Sequence, residues 1–537
     1  MRPSPGRPRR FPAIGIVLAV ALGVGAAVAF FFAMRALRGS DTPVTGGTLR
    51  VGVVGLGSLD PADARDPTAV MVAHHLFDTL VGYDPKTLEP RPALAQAWEV
   101  NPEQTVLTFH LLPGAHFHDG SPITSGDVKF SLERIARKSS NSPLVAQLDA
   151  IAGFAAYHVD GSAPGLAGVE APDPATVVIH LDRPFSNFPS VLGHPGFGVV
   201  PKAAVERLGD AFKSAPVGSG PFQLVPAPGD RLRLVRFGGH KPVSKLDAIE
   251  LLRFADAEAA YRGVGNGQVD ISPVPPASSE DAAKRYGTRG MQPYLGLAFY
   301  AMNLKSPDLS DARLRKAITL AIDRERIVRD VYKDTVKLAT GLVSDGVPGK
   351  ATDACGEVCR HDVVRAKALV TEAFPNGGAP EVAIDHDDDA TQAAVAASIK
   401  ADLDAAGIPS VLRSHPFDQY GQFIVSGQQE LFRLGWIADY PSPDAFLAPL
   451  FSSTSPDNVT GLAVPEVDDA LKAARAEADP AKQQSLYREA ERRVLSQYVV
   501  VPVAQLESRL AVVKRVRSFT LSPLGTFDGA AVTLARS

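Results

Sequence analysis

The residues best placed to do chemistry lie in one stretch, Arg433-Leu434-Gly435-Trp436-Ile437-Ala438-Asp439-Tyr440-Pro441-Ser442-Pro443-Asp444. A guanidinium and a carboxylate stand six residues apart on either side of an indole, and the chain has only two tryptophans. Pro441 and Pro443 interrupt regular structure just after the acid. A strand running into such a turn sets an acid, a base and aromatic surface at a sheet edge, where ligand sites lie. Asp439 is therefore a candidate holder of a cationic group on a solute. The competing readings are structural: Asp439 as a turn cap, Arg433 as an edge-strand surface residue, Trp436 as core.

Other constellations are weaker. Cys355 and Cys359 are the only two cysteines, and His361 is the only histidine near them. Two thiols fall short of a zinc site, so the pair reads as a small structural disulfide in an exported protein, with a metal or redox pair as the alternative. His116-Phe117-His118-Asp119-Gly120 lacks a third ligand in view and reads as a turn after a strand. Asp385 to Asp389 reads as a solvated loop, without the spacing or glycine of a calcium loop. Gly55-Leu56-Gly57 lacks the third glycine of a dinucleotide fingerprint, and Gly218-Ser219-Gly220 lacks the spacing of a nucleophile elbow. With no His-Glu-x-x-His and no Ser-x-x-Lys either, the chain reads as a binder and not an enzyme, with no metal and no cofactor.

The compartment follows from the N-terminus. Arg2, Arg7, Arg9 and Arg10 precede an uncharged run from Phe11 to Met34, long enough to span hydrocarbon, and Arg35 and Arg38 follow it. The bias of basic residues puts residues 1–10 in the cytoplasm. Residues 11–34 form one transmembrane anchor or uncleaved signal, 35–45 form a linker, and the remainder lies on the extracytoplasmic side. At 537 residues the chain is too long for one core, and its net charge of −4 leaves no footprint for nucleic acid.

The elements that must position the site alternate between the two periodicities. Thr105 to Leu112 alternates, with Leu107, Phe109 and Leu111 on one face. Thr124-Ser125-Gly126-Asp127 reads as a capping box for a helix that buries Val128, Leu132 and Ile135. Strands are expected at Thr48–Val54, Ala175–Leu181, Ala248–Phe254 and Val499–Val503. Helices are expected after the caps Ser310, Asp323, Asp362 and Asp479, and from Thr391 to Leu403. This is an α/β chain with mixed sheets.

From about Gly46 onward the chain resembles the peptide-type (family 5) solute-binding proteins of ABC importers. Four segments in order carry the resemblance: Pro92-Ala93-Leu94-Ala95-Gln96-Ala97-Trp98-Glu99 with Phe117 to Phe130; Gly267-Gln268-Val269-Asp270-Ile271; Asn303 with Asp311 to Glu325; and the Trp436 to Tyr440 stretch. The resemblance implies a periplasmic-binding-protein-like clamshell of the class II (cluster C) type with three domains. Domain I would comprise 46–78, 185–290 and 500–537, domain II 79–184 and domain III 291–499. It implies that the protein is a monomer that captures dipeptides or oligopeptides outside the cytoplasmic membrane for a permease and its ATPase subunits. Sugars, metal chelates and opines are alternative solutes for the same fold, and a membrane-anchored sensor is an alternative role. By position, Asp439 matches the acid that pairs with a peptide α-amino group, and Arg433 a base that meets a ligand carboxylate. Trp436 and Phe417 fall where pocket walls are found, with Tyr440 beside them. Two departures bear on ligand preference: Ser442, where an acid is common, and Ala504-Gln505-Leu506, where some oligopeptide binders carry tyrosines.

Overall fold

The computed structural model describes residues 43–535. The expected membrane segment at 11–34 therefore lies outside the described residues, and among those described no helix is long and apolar enough to cross a membrane.

One large sheet organises the chain. Its strands run, in spatial order, Ser410–His415, Val382–Asp387, Leu431–Ile437, Met291–Met302, Val500–Val512, Ile271–Pro273, Thr48–Val54, Ala248–Phe254, Arg231–Arg236 and Phe222–Val225. Lys337–Leu338 also pairs with Val500–Val512. The sheet is mixed: Thr48–Val54 pairs parallel with Ala248–Phe254, whereas Met291–Met302 pairs antiparallel with both neighbours. Val500–Val512 is much longer than the short apolar run expected at 499–503. From Val500 to Arg509 it pairs with Met291–Met302, and its last three residues, Leu510 to Val512, pair with Ile271–Pro273. It thus joins the two halves of the sheet.

A separate antiparallel sheet contains Ala95–Val100, Val106–Leu111, Thr176–His180 and Val169–Asp173. The alternation read from the sequence is realised here: Leu107, Phe109 and Leu111 are all buried. Each such side chain removed from water contributes about 1.5–3 kcal/mol. The helix Ser125–Ala136 packs beside it, opened by the expected capping box, with the Thr124 amide donating to Asp127 Oδ2 at 3.0 Å. Leu144 and Leu148 of this region share one hydrophobic cluster with Phe432, Tyr440 and Phe446 of the region carrying the candidate site.

Several caps fall where the sequence put them. Asp362, Asp323 and Asp479 accept from the backbone at the starts of their helices, and Pro480 is the first residue of Pro480–Leu495. At Ser310 the structure corrects the reading: Asp311 caps Ala312–Ala321, because its carboxylate accepts from the Arg313 amide at 2.8 Å.

A second correction concerns Asp385 to Asp389, read as a solvated loop. Asp385 and Asp387 end the strand Val382–Asp387 and are fully buried. Neighbouring strands supply the cations that make this tolerable. Arg413 grips Asp385 at 2.8 and 2.7 Å, and His415 lies 2.9 Å from it. Asp388 and Asp389 cap the helices Phe417–Val425 and Ala390–Ala405. Cys355 and Cys359 are disulfide-bonded to each other.

Candidate functional site

Within Leu431–Ile437 alternate side chains face opposite sides of the sheet. Phe432, Leu434 and Trp436 turn into the main hydrophobic cluster, while Leu431 enters the second. Arg433 shares the Leu431 side, opposite Tyr300 in the antiparallel register. The Ala438 amide adds one more bond, to Leu295 O at 2.8 Å, and then the chain turns. Asp439 is the first residue free of the ladder.

A buried knot fixes that turn. Asp444 accepts from Arg475 through both oxygens, each at 2.8 Å, from Tyr440 Oη at 2.7 Å and from Tyr487 Oη at 3.0 Å. These partners hold the Asp444 carboxyl below its usual range against the opposing effect of burial. The Arg475 guanidinium also lies over the Phe185 ring, 4.7 Å from its centre, and Asn187 donates to Ser442 Oγ at 2.8 Å. Tyr440 is thus a fully buried member of this knot. Asp444 went unread in the sequence. Its signal was the pattern Ser442-Pro443-Asp444, an acid in the first turn of the helix Asp444–Phe451.

Asp439 projects from the fixed turn. Its Oδ2 accepts from the Gln147 side-chain amide at 2.7 Å, and Gln147 lies in the short turn Val145–Leu148 of the chain region bearing the four-stranded sheet. No lysine, arginine or histidine among the described residues offsets its charge; the only other charged group that affects it is Asp457, which repels. Crowding by protein pushes its pKa up to about 6, with the Gln147 bond acting in the opposite direction. Tyr83 and Tyr294 are half-buried and close enough to have their phenol pKa values raised further by the Asp439 charge. The result is a half-buried carboxylate near two tyrosines, with no cation of its own among the described residues.

Arg433 meets a different environment. Its Nη1 lies 3.0 Å from Asp387 Oδ2. Both line an open recess of about 470 Å³ with Asp388, Asp389, Gln392 and Phe417. Phe417 is 70% exposed there. Six residues of extended chain separate Arg433 from Asp439 by about 20 Å. The structure thus groups Arg433 with Phe417, and Asp439 with Gln147. The Trp436 indole donates to Ala445 O at 2.6 Å and braces the start of the helix after the turn.

The other segments singled out in the sequence are scaffolding. Asp270 ties Thr48–Val54 to the C-terminal region through Arg50 at 3.0 Å and Arg515 Nε at 2.6 Å. Asn303 donates to Gly427 O and Gln429 O. His118 is held between the backbones of Gly218 and Gly220, so neither of its nitrogens is left for a metal.

One large mixed sheet, a separate four-stranded sheet, and an acid without a cation where the Leu431–Ile437 strand of the first meets the Val145–Leu148 turn define the frame of the site. The match to known sequences gives the class its name: a profile for bacterial extracellular solute-binding proteins, family 5 (Middle), matches residues 89–458, and the chain belongs to that family. It is 27% identical over 490 residues to the glutathione-binding protein GsiB of Escherichia coli K12, covering 88% of this chain and 92% of that one. The fold is similar to that of the Escherichia coli murein tripeptide binding protein MppA, with a TM-score of 0.74 and 23% identity over 92% of this chain and all of that one. It is similar also to the clavulanic acid biosynthesis oligopeptide binding protein 2, with a TM-score of 0.82 and 25% identity over 92% and 96% of the two chains. The expected α/β, periplasmic-binding-protein-like fold is the one observed.

Proposed function

We propose that this chain is the solute receptor of an ABC importer that captures peptides by their free amino group and hands them to a permease driven by ATPase subunits. The observation that carries the reading is the Asp439 carboxylate, half-buried and without a cation of its own among the described residues. An ionised carboxylate partly withdrawn from water is costly until a positive group joins it. A ligand ammonium supplies that charge and forms charge-assisted hydrogen bonds. The peptide-binding names among its relatives agree with this chemistry. The uncharged segment at 11–34 anchors the receptor in the cell membrane, with residues 46–537 facing away from the cytoplasm. Domain I (46–78, 185–290, 500–537) and domain II (79–184) form one side of the clamshell, and domain III (291–499) closes over the ligand.

Native mass spectrometry of the gently purified protein tests the ligand class. A co-purifying mixture of peptides is expected; a sugar or a metal chelate in the cleft overturns the peptide assignment.

A further inference from the structure

We propose that Gln147 is a specificity-determining residue of the ammonium site: its carboxamide occupies Asp439 when no ligand is present, and a solute amine must displace it to bind. This rests on the reading of Asp439 as the ammonium holder.

The geometry is specific. Gln147 Nε2 sits 2.7 Å from Asp439 Oδ2, the distance a bound ammonium would take. The contact crosses between chain regions 292 residues apart. Its Asp439 side is immobilised by the Asp444–Arg475 knot and by the Ala438 ladder bond. Its Gln147 side is carried on a short turn whose Leu144 and Leu148 are buried. Neither end is a loose surface side chain that meets the other by chance.

The chemistry follows from charge. A carboxamide N–H is a neutral donor, whereas an ammonium adds a full positive charge and has roughly twice the hydrogen-bond strength. The cationic end of a solute therefore displaces Gln147, while a solute offering only neutral N–H groups gains nothing by doing so. Gln147 thus sets a threshold that favours ligands with a free amine, at the cost of some affinity for every ligand that uses Asp439.

The test is a double-mutant cycle in the full chain, probed by calorimetry with a pool of alanine peptides two to five residues long. Gln147→Leu is expected to raise affinity about two- to tenfold, the worth of one released neutral hydrogen bond. Gln147→Met, which has no donor for Asp439 and nearly the same length, is expected to raise it as well and stands in should the leucine variant misfold. Asp439→Asn is expected to weaken binding, and in that background Gln147→Leu is expected to have little further effect. Unchanged or weaker binding by both Gln147 variants, with Asp439→Asn still harmful, overturns the displacement proposal and leaves the ammonium site standing. If Asp439→Asn is harmless, or the pool does not bind the unaltered chain, the ammonium reading fails and takes this proposal with it.

Discussion

Arg433 and Asp387 form an ion pair of 3.0 Å between neighbouring parallel strands of the large sheet. Asp387 is buried beneath the recess and Arg433 is the half-exposed partner. The guanidinium that the sequence offers to a ligand carboxylate is therefore already offset from within. Asp388 and Asp389 line the same recess, so its balance is acidic.

Removing that internal partner should change ligand preference. Asp387→Asn is expected to strengthen binding of peptides with an acidic C-terminal residue relative to neutral ones, as judged by competition titration. Equal affinity changes for both would mean that the Arg433 recess does not contact the ligand. Arg433→Met, which strands the Asp387 charge, should lower stability by about 1–3 kcal/mol in denaturant unfolding.

The Asp439 carboxyl has its folded pKa raised from 3.8 to about 6. Peptide affinity should therefore be nearly flat above pH 6 and fall as the pH drops below it, because an ammonium needs the ionised acid. At pH near 6, binding should release protons, which calorimetry in buffers of different ionisation enthalpy detects. Asp439→Asn should remove both effects. A proton release that persists in that variant would assign the titration to another group.

Glu491 gives a separable pH signature in stability. It is buried and accepts from the Leu342 amide at 2.6 Å and the Val343 amide at 3.3 Å, and burial raises its pKa from 4.5 to about 7. Its folded form thus holds its proton more tightly than its unfolded form. Below pH 4.5 both forms are protonated and nothing is lost; stability then falls as pH rises from 4.5 to 7, by on the order of 2–3 kcal/mol. Glu491→Gln keeps an acceptor oxygen and removes the titration. The variant should be more stable than the unaltered protein at pH 8 and equal to it near pH 4, as measured by chemical unfolding.

The Asp444 knot should dominate the stability of the region around the site. Arg475→Met leaves a buried carboxylate without its cation and is expected to cost about 3–5 kcal/mol. Loss of thermal stability should come with loss of peptide binding, because the same knot fixes the turn that presents Asp439. A variant with full affinity and unaltered melting would show that the turn holds itself.

Much of this was legible locally. Leu107, Phe109 and Leu111 announced a strand through their alternation, and Thr124 with Asp127 announced a helix start, because neighbours in sequence satisfy those rules. Asp439 could be read as a candidate from the turn residues after it. What the sequence hid were relationships across long separations. Nothing near Asp385 reveals that Arg413 and His415 will lie beside it, so five residues with four acids looked like a solvated loop. Nothing near Tyr440 reveals Arg475 and Tyr487, and nothing near Asp439 reveals Gln147. Pairings of this kind depend on the register of strands and helices already packed, which short-range patterns do not encode.

The seam strand has a consequence for how the large sheet assembles. Val500–Val512 lies between Met291–Met302 and Ile271–Pro273, yet it is far from both along the chain. The two halves of the large sheet stay separate until this one strand has closed a long loop and paired on both sides. Contacts between segments so distant form slowly, so the joining of the halves is set by topology and not by local propensity.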